Sequence, residues 1–333
     1  MTRKALHGVN LGGWLIIEKW MTPELFADTS AQDEYTFMQT PGARKKIEQH
    51  RDTFITEDDF RWMKDNGVTA VRIPIGYWIF DGDGPYTAHL QYLDWAMKIA
   101  KKYSIEVIID LHGLKGSQNG HDHSGRVNIT DWYKRREYQT QSVETLVRIA
   151  ERYKNYENFW GLQITNEPKL GLFQFTLRRY YKEAYDALAS ILHKRTRIIF
   201  SDGFTPRLLS GALKRKTHPV VMDVHIYHMT KLFSQYFSVA SYYRRLHRHV
   251  RLFRRLSKEQ PIIIGEWNGV MRQVTLNKIP QSQHEALVRE HSRIQQEVFD
   301  TTEGWFYWNY KHEKPGVWDF RSQVDDGVII LSQ

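Results

Sequence analysis

Apolar residues along the chain gather in short unbroken runs rather than alternating with polar ones. Eight runs stand out: "HGVNL" from residue 7, "VTAVRIP" from 68, "IEVIIDLH" from 105, "FWGLQITN" from 159, "TRIIFSD" from 196, "VVMDVHIY" from 220, "PIIIGEW" from 261 and "EGWFYWN" from 303. Strands buried on both faces read this way, and such strands belong to parallel sheets covered by helices. Helical periodicity fills the gaps. "TEDDFRWMKDNG" opens on Thr56 as an N-cap, carries acids in its first turn and stops at Gly67. "YLDWAMKIAKKY" places Leu93, Ala96, Met97 and Ala100 on one face. Eight strand–helix units in 333 residues predict a single-domain (β/α)8 TIM barrel over residues 1–333, with a doubly wound open sheet as the alternative.

Motif absences narrow the function. No Gly-rich GxGxxG follows the first strand and no GxxxxGK[ST] occurs, which argues against nucleotide binding. There is no cysteine, so disulfides, Cys–zinc sites and thiol catalysis are excluded. No cofactor is expected. No apolar run reaches the length of a membrane span, and the polar start "MTRKALHGVNLGGW" does not read as a signal peptide, so a cytoplasmic location is expected.

The candidate chemistry lies where the strand-like runs end, because a barrel of this type gathers its active site at the C-terminal ends of its strands. Those ends read Asn10, Arg72, Asp110 with His112, Asn166 with Glu167, Asp202, His225 with Tyr227, Glu266, and Trp308. The triplet Asn166-Glu167-Pro168 closes a strand expected over 160–165. Pro168 cannot donate to a sheet ladder and biases Glu167 toward extended backbone. Glu167 and Glu266 are 99 residues apart and end the fourth and seventh strands, so they face each other across the barrel mouth. Two such carboxylates suit glycosidic bond hydrolysis, and the retaining form needs them about 5–5.5 Å apart. Arg72 is expected to keep one of them ionised and low in pKa, and Tyr227 to donate to the same group. Asn166 could grip a sugar 2-hydroxyl, and Trp308 offers a flat face for a ring.

This set resembles glycoside hydrolase family five of clan A. The stretches "GVNLGGWLIIEKWMTPELF" (8–26), "VRIPIGYW" (71–78) and "DLHGLKGSQNGHDHSG" (110–125) resemble its exo-β-1,3-glucanase group. The resemblance implies Glu167 as acid/base and Glu266 as nucleophile, with Arg72, His112, Asn166, His225, Tyr227 and Trp308 around the reacting sugar. It implies that Glu18 holds hydroxyls of the terminal sugar, and that Asn119 and His121 belong to a substrate-binding loop. His121 replaces a phenylalanine of the group that clamps the leaving sugar, and Phe233 is the candidate for a second clamp. The implied activity is exo attack on β-1,3-linked glucan or gluco-oligosaccharides. A β-glucosidase, a rutinosidase-like or glycolipid-cleaving enzyme, an endo-β-glucanase and a non-catalytic carbohydrate-binding barrel are the alternatives. The expected partner is an oligosaccharide or glucoside, and the protein is expected to be a monomer.

Two features compete for other roles. His121-Asp122-His123 could ligate a metal, but the loop lacks a clear third and fourth ligand, so no metal is expected. Lys and Arg outnumber Asp and Glu by 47 to 38, and residues 241–260 concentrate the excess. On a helix Tyr243, Leu246, Val250 and Phe253 form an apolar stripe beside Arg244, Arg248, Arg251, Arg255 and Lys258. The leading reading is a surface helix with a solvated basic face, and the sharper one is a contact for a polyanion or an acidic membrane. No nucleic-acid motif is present, so no nucleic-acid partner is expected.

Overall fold

The computed structural model describes residues 5–170, 174–213, 217–228 and 238–331. Eight parallel strands close into a barrel in sequence order: β1 Leu6–Asn10, β2 Ala70–Gly76, β3 Glu106–Gly113, β4 Phe159–Gln163, β5 Arg197–Ser201, β6 Val220–Ile226, β7 Ile262–Trp267 and β8 Gly304–Tyr307. Closure comes from β1 pairing with both β2 and β8. The expected (β/α)8 barrel is therefore the fold, and the open-sheet alternative is not.

The helices form where periodicity placed them. Glu57–Asp65 begins with a capping box, in which the Thr56 N–H donates to Asp59 Oδ2 at 2.8 Å, and ends before Gly67 at φ +83°. Helix Leu90–Lys102 buries Leu93, Ala96, Met97 and Ala100. Those four share one core with Val71, Ile73 and Ile75 on the outer face of β2. The unit after β5 departs from the pattern, since its described residues form only a one-turn helix, Pro206–Leu209.

Inside the barrel, side-chain period two builds layers. Each strand sends one residue into an apolar plug made of Leu6, Ala70, Ile108, Trp160, Ile199, Val221, Ile263 and Phe306. Two positions further along, the inward residues turn polar: Arg72 after Ala70, Asp110 after Ile108, Asp223 after Val221. The plug excludes water from below, and the polar layer above it becomes the floor of the site.

Two expectations at Glu167 need correction. β4 stops at Gln163 rather than at Thr165, and Glu167 has φ +39° instead of extended backbone. Proline's bias on its predecessor is small beside the bonds that hold this turn. The Asn119 side-chain amide donates to the Glu167 carbonyl at 3.1 Å, and Gln118 donates to the Asn166 carbonyl at 2.9 Å.

Candidate active site

Arg72 is the hub of the polar layer, and it is fully buried. Its Nε donates to Gln163 Oε1 at 2.9 Å. Nη1 donates to Asn10 Oδ1 at 2.7 Å and to Glu266 Oε1 at 3.0 Å. Nη2 donates to Asn166 Oδ1 at 2.7 Å and lies 2.9 Å from Asp110 Oδ2. A guanidinium so fully engaged is a rigid template rather than a mobile ligand. Asn10 in turn donates to the Gly265 carbonyl at 2.9 Å.

Glu266 reaches the cavity through a bulge. The register between β7 and β8 shifts after Ile264. Gly265 takes an inward position, where an added Cβ would lie 2.1 Å from Asp223 Oδ1. With no side chain there, the Gly265 N–H donates to Asp223 at 2.7 Å and the next residue, Glu266, also faces inward. Tyr227 donates to Glu266 Oε2 at 2.8 Å.

Glu167 is held from the other side. His225 Nδ1 lies 2.7 Å from Glu167 Oε1, and His225 Nε2 lies 3.0 Å from Asp223 Oδ2. His123 Nε2 is 3.5 Å from Glu167 Oε2. One oxygen from each glutamate and a His225 nitrogen all fall within 4.8 Å of one another. The potential ligating cluster among the described residues is thus Glu167, His225 and Glu266, not His121-Asp122-His123.

Burial and charge oppose each other here. Burial pushes Glu266 up to about 7, with Glu167 adding to the rise while His225, Arg72 and Tyr227 resist it. Arg72 does pull this carboxyl down, as expected, but burial outweighs it, so the carboxyl is raised rather than low. Burial also raises Glu167, but the hydrogen bond and charge of His225 outweigh it and hold Glu167 down to about 2. Burial disfavours the His225 cation, yet Glu266 and Asp223 lift it well above its ordinary range. Both shifts run the same way, toward a protonated His225 beside an ionised Glu167. His112 is the reverse case, kept neutral chiefly by burial. It sits 2.6 Å from Asp110 Oδ2 through Nδ1, and its Nε2 accepts from Asn166 at 3.2 Å.

The cavity above these groups has a volume of about 190 Å³ and is lined by Glu18, Trp20, His112, Asp122, His123, Glu167, Tyr227, Glu266, Trp308 and Trp318. Trp20 donates to Glu18 Oε2 at 2.8 Å, and burial raises Glu18 well above the usual carboxylate range, with Asp122 adding. Arg72, Asn166 and His225 stand behind this wall and fix the groups that form it. Asn119 is turned to the Glu167 backbone, and His121 lies exposed outside the lining, stacked on His123 at 5.5 Å. Phe233 falls outside the described residues.

The model of the family described as "Cellulase (glycosyl hydrolase family 5)" matches residues 31–314. The chain belongs to glycosyl hydrolase family 5. This family 5 enzyme is 32% identical to the "Probable glucan 1,3-beta-glucosidase A" of Neosartorya fischeri, over 97% of its own length and 87% of the relative's. It is 29% identical to the "Glucan 1,3-beta-glucosidase" of Kluyveromyces lactis, covering 97% and 88%. Its fold is shared with a rutinosidase from Aspergillus niger at a TM-score of 0.82, 21% identity and 98% coverage of both chains. The endoglucanase Cel5A of Thermotoga maritima matches at 0.60 and 17% identity, with 97% and 96% covered. The family 5 enzyme is accordingly a glycoside hydrolase.

Sequence reasoning missed several of its working residues. Asp223 carried a signal, since an acid two positions before His225 shares that residue's face of the strand. Gln163 likewise stood inside an apolar run. His123 was weighed only as a metal ligand, whereas it bridges Glu167 and His112, with Nδ1 3.2 Å from His112 Nε2. Trp318, 6.0 Å from Tyr227 ring to ring, comes from the segment after β8 and carried no local signal.

Proposed function

We propose that this family 5 enzyme removes single glucosyl units from the non-reducing ends of β-1,3-linked glucan or gluco-oligosaccharides, with retention at the anomeric carbon. Glu266 is the nucleophile, and Glu167 is the acid and then the base. The observation that carries the reading is the closeness of the two carboxyls, within 4.8 Å, at the bottom of a cavity sized for one sugar. Inverting enzymes separate their carboxyls by about 6.5–9.5 Å to admit a water, and no such gap exists here. A 190 Å³ cavity is smaller than the ~300 Å³ at which drug-sized pockets begin, which favours a single ring at its closed end. Glu18, braced by Trp20, stands in the wall and is positioned to accept from sugar hydroxyls.

In the first step Glu266 attacks the anomeric carbon while the glycosidic C–O bond breaks, and Glu167 protonates the leaving oxygen. Water then attacks the glycosyl ester, giving its proton to Glu167 and releasing Glu266. His225, 2.7 Å from Glu167 and favoured as the cation, supplies the proton for the acid. A sugar filling the cavity strips water from Glu167, which favours a neutral Glu167–His225 pair over an ion pair. Proton transfer along the 2.7 Å hydrogen bond then arms Glu167 without changing the proton count of the cluster.

The pH dependence follows from Glu266. Protonation of Glu266 removes the nucleophile, so the acid limb of kcat/KM should lie above the ordinary glutamate range, toward pH 7. Tyr227 favours the ionised form, so Tyr227→Phe should move that limb upward by about one pH unit. A downward or absent shift would show that Tyr227 does not act through Glu266.

Product analysis tests the substrate. A β-1,3-linked glucose tetramer labelled at its reducing end should give glucose, born as the β-anomer, and labelled trimer at the earliest times. Early dimer would mean endo attack. No cleavage of the tetramer, with turnover of aryl or rutinosyl glucosides, would move the substrate to the glucosidase or rutinosidase-like alternative.

A further inference from the structure

The net positive charge of the chain comes from one segment. Residues 203–258 hold 12 of the 47 Lys and Arg and 1 of the 38 Asp and Glu. That acid is Asp223, buried inside the barrel. Outside this segment 35 Lys and Arg face 37 Asp and Glu, so the formal +9 belongs entirely to it. Helix Val239–Leu256 turns Tyr242, Arg245, Leu246, Phe253 and Leu256 inward. It exposes Arg244, His247, Arg248, Arg251, Arg254 and Arg255, with Lys258 just beyond its end. At 3.6 residues per turn and 1.5 Å per residue these positions span an arc of about 120° and a length of about 21 Å.

Elsewhere on the surface cations meet acids, as in Arg136–Glu183, Arg148–Asp81, Arg152–Asp94 and Lys182–Asp186. Among the described residues, the exposed arginines of this helix form no ion pair, and Arg244 donates only to Ser241 Oγ, at 2.9 Å. Like charges three and four residues apart repel, so the face opposes folding stability. Beside it, where β5 is followed by a single helical turn, lies a groove of about 430 Å³ that includes Arg207, Leu208, Arg245, Arg248 and Leu252. Arg245 is buried, yet its Nε–H has no acceptor among the described residues. Leu208 at the rim is 45% exposed, and Phe204 nearby in sequence is 56% exposed.

We infer that this face docks the enzyme on an anionic lipid bilayer, with a lipid phosphate in the groove against Arg207, Arg245 and Arg248. A convex row of six Lys and Arg matches the cluster size that binds acidic lipid surfaces. The exposed Leu208 adds an apolar contact that a bilayer can accept. Among its described residues the groove has no Phe, Tyr or Trp on which bases could stack and His249 as its one aromatic ring, which favours a lipid surface over a single nucleic-acid strand.

The test is flotation with vesicles of phosphatidylcholine alone and with about 30% phosphatidylserine, at low salt. Binding is expected only with phosphatidylserine and is expected to fall steeply as salt rises. Reversing Arg248, Arg251 and Arg255 to Glu should weaken it by about a hundredfold or more. Hydrolysis of a soluble aryl glucoside should stay unchanged. Replacing the same three by Lys should preserve binding, because the surface reads charge. Equal binding to neutral vesicles, or no binding to either kind, would overturn the inference. So would capture by heparin or duplex DNA at salt concentrations that release the vesicles, which would make the partner a polyanionic chain.

Discussion

Glu266→Gln should lower kcat by roughly 10⁴-fold or more on every substrate while leaving the fold intact. The amide oxygen can still accept from Arg72, and the amide nitrogen can donate to the Tyr227 oxygen, so the side chain stays hydrogen-bonded at both ends. Arg72 keeps Asp110 as a counter-charge at 2.9 Å. What disappears is the lone pair that attacks the anomeric carbon. The loss should be equal for activated and unactivated leaving groups, since both need the same nucleophile. Single-turnover assays on purified protein would check it. Retention of more than a percent or so of wild-type activity would place the nucleophile elsewhere.

Glu167→Ala should separate the two steps of the reaction. On a β-1,3-glucan oligosaccharide, whose leaving alcohol needs a proton, turnover should fall by about 10²–10⁴-fold. A dinitrophenyl β-glucoside leaves as a stable anion, so its first step should proceed nearly unimpaired and the glycosyl-enzyme should accumulate as a burst. Azide needs no base and should restore turnover as the β-glucosyl azide. The packing tolerates the change, since His225 remains anchored to Asp223 at 3.0 Å. Equal slowing of both substrates with no burst would remove the acid assignment.

How much of this was readable in the chain depends on the range of the forces involved. Strands buried on both faces announce themselves locally, so all eight runs fell on observed strands. Strand-end chemistry was readable for a related reason. A barrel gathers its site at the C-terminal ends of its strands, and Arg72, His112, His225 and Glu266 were picked out as polar residues closing apolar runs there. The bulge that turns Glu266 inward was not readable. It exists because the Asp223 carboxylate occupies the space of a Gly265 side chain, a contact across 42 positions. The backbone of Glu167 was misjudged for a similar reason, as a local proline rule met tertiary hydrogen bonds from the 117–119 loop. Asn119 and His121 were placed on the substrate by resemblance, yet one supports the Glu167 turn and the other stacks outside the cavity.

The chain by itself determined the barrel and the position of the two glutamates at or just beyond the ends of apolar runs, because hydrophobic periodicity acts within a few residues. The segregation of charge into 203–258 was also written there, although its arrangement as a single outward face needed the helix. Only the tertiary structure decided that the two carboxyls come within 4.8 Å, the size of the cavity and the opposed shifts of Glu167 and His225. Protonation depends on how much water is excluded and on which charges converge, and both are set by residues far apart in sequence. Arg72 shows the difference: its identity suggested a counter-ion that keeps a carboxylate low, and it does lower Glu266, but burial outweighs it and leaves Glu266 raised.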